Sequence, residues 1–160
     1  MRSGSSRSAR RVTVGAAPGF SFDYTIFSKV WKGGVADLVE SGAGSPAWGA
    51  VWEFPEGDLE ALDKQKGVGG ADPKYRRFTL DVVGSDGRRW PCFSYSVVAA
   101  KRVRVKGGGF KRFEPSVQYR ACVLRGARES GLPPDYVGRL EAIADSGEGF
   151  RRKDVGSACG

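Results

Sequence analysis

Apolar and polar positions alternate along the front of the chain and change to helical spacing near Ser116. In residues 19–27 (GFSFDYTIF), Phe20, Phe22, Tyr24 and Ile26 fall on one face, the period-two pattern of a half-buried strand. Trp31-Lys32-Gly33-Gly34 reads as a turn or bulge, and residues 35–39 as a second short strand. The strongest strand pattern lies in residues 47–54 (AWGAVWEF), with Trp48, Ala50 and Trp52 on one side and Gly49, Val51 and Glu53 on the other. A mid-strand glycine costs roughly 0.5–1 kcal/mol relative to alanine, so Gly49 marks either a place where something approaches the backbone closely, or a bulge or tight packing against an aromatic ring. Residues 75–83 and 89–99 form two further strands, with Asp86-Gly87 as the hairpin turn and Pro91 placing the second strand at an edge or bulge.

Helical periods are confined to three places. After Pro55, Asp58 is a candidate N-cap for a short helix with Leu59 and Leu62 inward, Lys64 and Lys66 in its last turn and Gly67 as the left-handed terminator. Cations in that turn suit the helix dipole, so Lys66 has an ordinary structural explanation. From Ser116, a second N-cap, Val117, Ala121 and Leu124 recur at helical spacing, with Cys122 and the stem of Arg128 on the same stripe and Gly131 as terminator. A last helix follows Pro133-Pro134, with Tyr136, Leu140, Ile143 and Ala144 inward. These elements predict an α+β domain: a small mixed or antiparallel sheet with flanking helices. Residues 1–18, rich in Ser, Gly, Ala, Pro and Arg, read as a disordered basic arm, residues 19–146 as the domain and residues 147–160 as a flexible tail.

At 160 residues the chain suffices for one core without a metal or disulfide. Its three cysteines lack zinc-ribbon spacing and the chain has no histidine, so no metal site is expected. No apolar run reaches signal-peptide or transmembrane length, which gives a cytoplasmic, non-membrane expectation. The net charge of +8 is unevenly placed: the four arginines of residues 1–11 and the six basic residues of 101–112 carry +10, leaving −2 for the body.

Several stretches, in order, resemble the gamma-glutamylcyclotransferase family: Trp31-Lys32-Gly33-Gly34, Trp48-Gly49-Ala50-Val51-Trp52, Leu62-Asp63-Lys64-Gln65-Lys66-Gly67-Val68, Tyr75, Ser94-Tyr95, Pro115-Ser116-Val117-Gln118-Tyr119, and the run from Gly126 to Tyr136. The resemblance covers roughly residues 19–146. It implies a small, partly closed β-barrel and a reaction without metal or cofactor. In that reaction the α-amine of a γ-glutamyl amino acid attacks its side-chain amide carbonyl, giving 5-oxoproline and a free amino acid. The chemistry needs a base for the α-ammonium proton, an acid for the departing nitrogen, and donors for the α-carboxylate and the oxyanion. The resemblance puts a glutamate in the first two roles at the position of Lys66, and pocket-lining tyrosines at Tyr75, Tyr95 and Tyr119.

Two departures follow. A lysine at its reference pKa, about 10.4, is protonated at neutral pH and accepts no proton. The family's aromatic-Gly-Ser-Asn loop after its first strand has no counterpart, since Gly15 and Gly19 flank only Ala16-Ala17-Pro18. The first strand and clamping loop are therefore expected to be absent or replaced by the basic arm, with cyclotransferase turnover lost or strongly reduced. The alternative function is non-catalytic binding of a small γ-glutamyl or other carboxylate ligand. Polyanion or nucleic-acid binding through residues 101–112, with Phe110 as a stacking aromatic, ranks below it. A homodimer is expected by resemblance alone.

Overall fold

The computed structural model describes residues 9–42 and 44–149. Its strands are β1 (Arg10–Ala17), β2 (Phe20–Ser28), β3 (Gly33–Glu40), β4 (Ala47–Glu53), β5 (Tyr75–Gly84) and β6 (Arg89–Val97). Its helices are α1 (Leu59–Lys66), α2 (Val117–Ser130) and α3 (Pro134–Glu141). β4-β1-β5-β6 form one sheet and β2-β3 a separate ribbon, and every strand pairing is antiparallel. The large sheet curls until the Phe54 ring, just past β4, lies 5.7 Å from that of Phe93 on β6. β4 and β6 remain its edges, so hydrogen bonding does not close it into a barrel among the described residues.

The strands expected from alternation form, and their irregularities have local causes. β2 slips register between Tyr24 and Ile26, so Thr25 turns inward beside Tyr24 and both are buried. The Trp31-Lys32-Gly33-Gly34 motif is where residues 113–116 cross the β2-β3 ribbon. A Cβ on Gly34 would stand 2.2 Å from the Phe113 carbonyl oxygen, and one on Gly33 2.4 Å from the Ser116 nitrogen. The Gly34 N–H instead donates to Glu114 O at 2.8 Å. Pro91 lies in the edge strand β6, as its missing N–H requires.

Residues 10–17 depart from the sequence expectation. They are not a disordered arm but β1, an interior strand paired with β4 from Arg10↔Glu53 to Ala17↔Ala47. The small residues that lowered the strand signal let neighbouring chains approach: a Cβ on Gly15 would stand 2.5 Å from Val82 Cγ1 and 2.6 Å from Val83 O. Residues 1–8 of the predicted arm lie outside the described residues. At the other end Glu148 O accepts from Val117 N at 3.0 Å, so the predicted tail starts against α2, and residues 150–160 lie outside the described residues.

The helices differ in phase from the expectation. Asp58 makes no side-chain capping bond, because the 3-10 turn Glu56–Asp58 already runs into α1 and leaves Asp58 with helical torsions. Gly67 (φ +69°) and Gly131 (φ +74°) end α1 and α2 as expected. Ser116 Oγ accepts from Tyr119 N at 3.4 Å. The buried stripe of α2 is Leu124 and Ala127 rather than Val117, Ala121 and Arg128, which are exposed. Leu124 and Ala127 pack with Tyr136 and Leu140 of α3, and Phe22, Trp48 and Val123 close around them. α3 ends at Glu141, which leaves Ala144 exposed.

The basic segment 101–112 is largely exposed between residues 103 and 109 but is tied to the body at both ends. Arg102 enters the protein and its Nε and NH2 reach Asp37 Oδ2, each at 2.8 Å. Lys101 pairs with Asp72, and Arg112 with Asp23 at 2.5 Å. Phe110 carries the Arg102 and Arg104 guanidinium groups at 5.2 and 5.7 Å from its ring centre. Among the described residues no helix is long and apolar enough to cross a membrane, and no group of three His, Cys, Asp or Glu side chains is placed to hold a metal.

Candidate functional site

The concave side of the curled sheet holds a cavity of about 680 Å³. β1 meets β5 only at Gly15↔Gly84 and Ala16↔Val83, so β1-β4 and β5-β6 splay apart beyond those pairs and leave the space unfilled. Its lining includes Val12, Val51, Leu80, Val82 and Trp90 from the strands, and Leu62 and Lys66 from α1. Leu62 and Lys66 are four residues apart and therefore share a helix face. Gly49 also lines the cavity, and a Cβ there would meet nothing within 4 Å. Neither a bulge nor tight packing is found there: Gly49 pairs in register with Gly15 and opens the cavity, which leaves its backbone accessible to a close approach.

The structure divides the four residues singled out from the sequence. Lys66 and Tyr95 line this cavity, with the Lys66 ammonium 6.0 Å from the centre of the Tyr95 ring, at the outer limit of a cation–π contact. Lys66 is exposed at the helix end, and no carboxylate lies within ion-pair distance of it among the described residues. Tyr119 and Tyr75 do not line the cavity. The Tyr119 hydroxyl accepts from Ala36 N at 3.1 Å, and its ring meets Trp31 at 4.8 Å and Tyr24 at 6.2 Å. Burial raises the Tyr119 pKa, partly offset by that backbone bond. Tyr75 is pushed up to about 12 by burial, then by Tyr119 and Asp37.

Asp63 went unremarked as a site residue, although it stands three positions before Lys66 on α1, a spacing that brings the two onto neighbouring faces. Its Oδ1 accepts from the Tyr95 hydroxyl at 2.7 Å and its Oδ2 from Arg77 NH1 at 2.6 Å. Arg77 also lies over Phe93 at 5.7 Å. Desolvation, then the hydrogen bond to Asp63, pushes Tyr95 up to about 12. The phenol therefore stays protonated at neutral pH and its proton is committed to Asp63. At the rim, Arg10 and Glu53 pair across β1 and β4 at 2.6 Å, both largely exposed. Cys92 lines the cavity as a free thiol that donates to Trp90 O at 3.2 Å, and burial, then Asp81, raises its pKa. An aromatic and aliphatic cavity thus carries one unpaired cation, Lys66, while its nearby carboxylates, Asp63 and Glu53, are already engaged. Neither partner of Asp63 could be read from the chain, because both come from strands remote in sequence.

A sequence model of the AIG2-like family matches residues 47–140. Among curated proteins, the chain is 33% identical over 116 residues to a gamma-glutamylcyclotransferase of Bos taurus, covering 72% of this chain and 55% of that protein. It is 32% identical over 116 residues to that of Homo sapiens, with the same coverage of 72% and 55%. The chain thus spans about 55% of the length of these relatives. A solved gamma-glutamyl cyclotransferase superposes with a TM-score of 0.78 at 27% identity, over 95% of this chain and 83% of that one. A crystal structure of an uncharacterized human protein superposes with a TM-score of 0.78 at 28% identity, over the same 95% and 83%.

Proposed function

Since the chain belongs to the AIG2-like family, we propose that it holds a small γ-glutamyl or other carboxylate ligand in the cavity of the curled sheet without cyclising it at enzymatic rates, as a pseudoenzyme. The observation that carries this is Lys66 on the cavity wall beside Tyr95, where the resemblance implies a glutamate. Cyclisation begins only when the α-ammonium loses a proton, and an ammonium in place of the carboxylate repels that group and cannot take the proton. Asp63 offers no substitute, since both its oxygens are engaged by Tyr95 and Arg77. Tyr95 is a poor base at neutral pH for the reason given by its raised pKa. A ligand carboxylate, by contrast, gains from Lys66 the attraction a substrate ammonium would lose.

Release of 5-oxoproline from γ-glutamylalanine is the decisive assay, with no release above the uncatalysed rate expected from this chain. Ordinary enzymatic turnover would overturn the proposal. Calorimetric titration with γ-glutamylalanine and simple carboxylic acids tests the binding half. Heat of binding that Lys66→Gln diminishes is expected, and silence at millimolar concentration from every acid would refute it.

A further inference from the structure

Most of the cavity wall is apolar: Val12, Val51, Leu80 and Val82 face the space with the rings of Trp90 and Phe93. Its charged groups are few and largely spent. Arg10 and Glu53 neutralise one another at 2.6 Å, and the Tyr95 hydroxyl is committed to Asp63 at 2.7 Å. Cys92 donates its thiol proton to Trp90 O. Lys66 is left as a single cation on the wall, one helical turn from Leu62.

On the reading that this cavity takes a small anion, we propose that its ligand is a monocarboxylate with an apolar body, an alkyl or aryl acid, rather than a γ-glutamyl amino acid. The carboxylate would pair with Lys66 and the body would fill the gap over Gly49, where a Cβ meets nothing within 4 Å. A γ-glutamyl amino acid brings two carboxylates, an ammonium and an amide. The wall has no free carboxylate for its ammonium, and a buried polar group without a partner is costly. An apolar body instead gains about fourfold in affinity for each methylene buried. A cavity of about 680 Å³ accommodates ligands well beyond acetate.

The test is isothermal titration of the full chain with butanoate, hexanoate, octanoate and 3-phenylpropanoate, their primary amides, and γ-glutamylalanine. Affinity is expected to rise about fourfold per methylene along the alkyl series, with each acid about fivefold tighter than its amide, the upper range of an exposed ion pair. Lys66→Gln should erase the acid-to-amide difference but keep the length dependence. Gly49→Leu, with folding checked by circular dichroism, should erase the length dependence. Binding of γ-glutamylalanine without length dependence overturns this inference while sparing the anion-binding reading. Equal binding of acids and amides also overturns it, and failure of every acid overturns both.

Discussion

Removing Arg102 should strand a buried negative charge. The Asp37 side chain is fully buried and the Arg102 side chain is 9% exposed. Besides the two guanidinium contacts, Asp37 accepts from Thr25 Oγ1 at 2.5 Å, Val97 N at 2.8 Å and Ser96 Oγ at 3.3 Å. These contacts tie β2, β3 and β6 to the basic segment. Breaking a buried pair by removing one partner costs about 3–5 kcal/mol, because the other charge is left uncompensated. Arg102→Met is therefore expected to lower unfolding free energy by about that amount, out of roughly 5–15 kcal/mol for a domain. At roughly 2–4 °C per kcal/mol the melting point falls by about 6–20 °C. Asp37→Asn with Arg102→Met strands no charge: the amide oxygen still accepts from Val97 N and the NH2 group can donate to Thr25 Oγ1, so the double variant should cost less than the single Arg102→Met. Urea unfolding followed by tryptophan fluorescence reads both, with the midpoint shifting at constant slope. A loss under about 1 kcal/mol for Arg102→Met, or a double variant as damaged as the summed singles, would refute the reasoning.

Gly34→Ala places a Cβ 2.2 Å from a backbone oxygen that no rotamer can move. It should cost at least about 1–3 kcal/mol in the same urea assay, as overpacking does. Gly15 and Gly49 face one another in register yet should respond oppositely. Gly15→Ala meets Val82 and Val83 and destabilises, whereas Gly49→Ala meets nothing and should gain about 0.5–1 kcal/mol; equal effects would contradict the geometry. Tyr75 has a folded-state pKa of about 12, above the tyrosine reference of about 10. Its folded form thus retains a proton that the unfolded form releases. The stability this contributes is complete below pH about 10 and is lost as pH rises through about 12. Tyr75→Phe should flatten the fall of the urea midpoint across that window, and an unchanged slope would remove Tyr75 as a cause.

Much of the fold was legible because alternation and capping are local. Phe20, Phe22 and Tyr24 signalled β2, Asp86-Gly87 the hairpin of β5 and β6, and Gly67 and Gly131 the ends of two helices. β1 escaped because Gly15-Ala16-Ala17 looks like linker until neighbouring backbones are seen pressing on it. Of the stripe expected on α2 only Leu124 is buried, because the helix turns Tyr119, Leu124 and Ala127 inward and leaves Val117 42% exposed. Lys66 was found through resemblance, Tyr95 with it. The separation of both from Tyr75 and Tyr119 followed from the curl of the sheet.

What the sequence determined by itself was local: which segments can be strands or helices, where glycine must end them, and that an ammonium stands at position 66. Tertiary structure alone decided what surrounds that ammonium. The carboxylate three residues before it is held by Arg77 and Tyr95 from β5 and β6, and Arg102 finds its partner 65 residues away. Such pairings depend on how strands curl and which edges they leave open, and alternation within a segment carries no record of the neighbour across the gap.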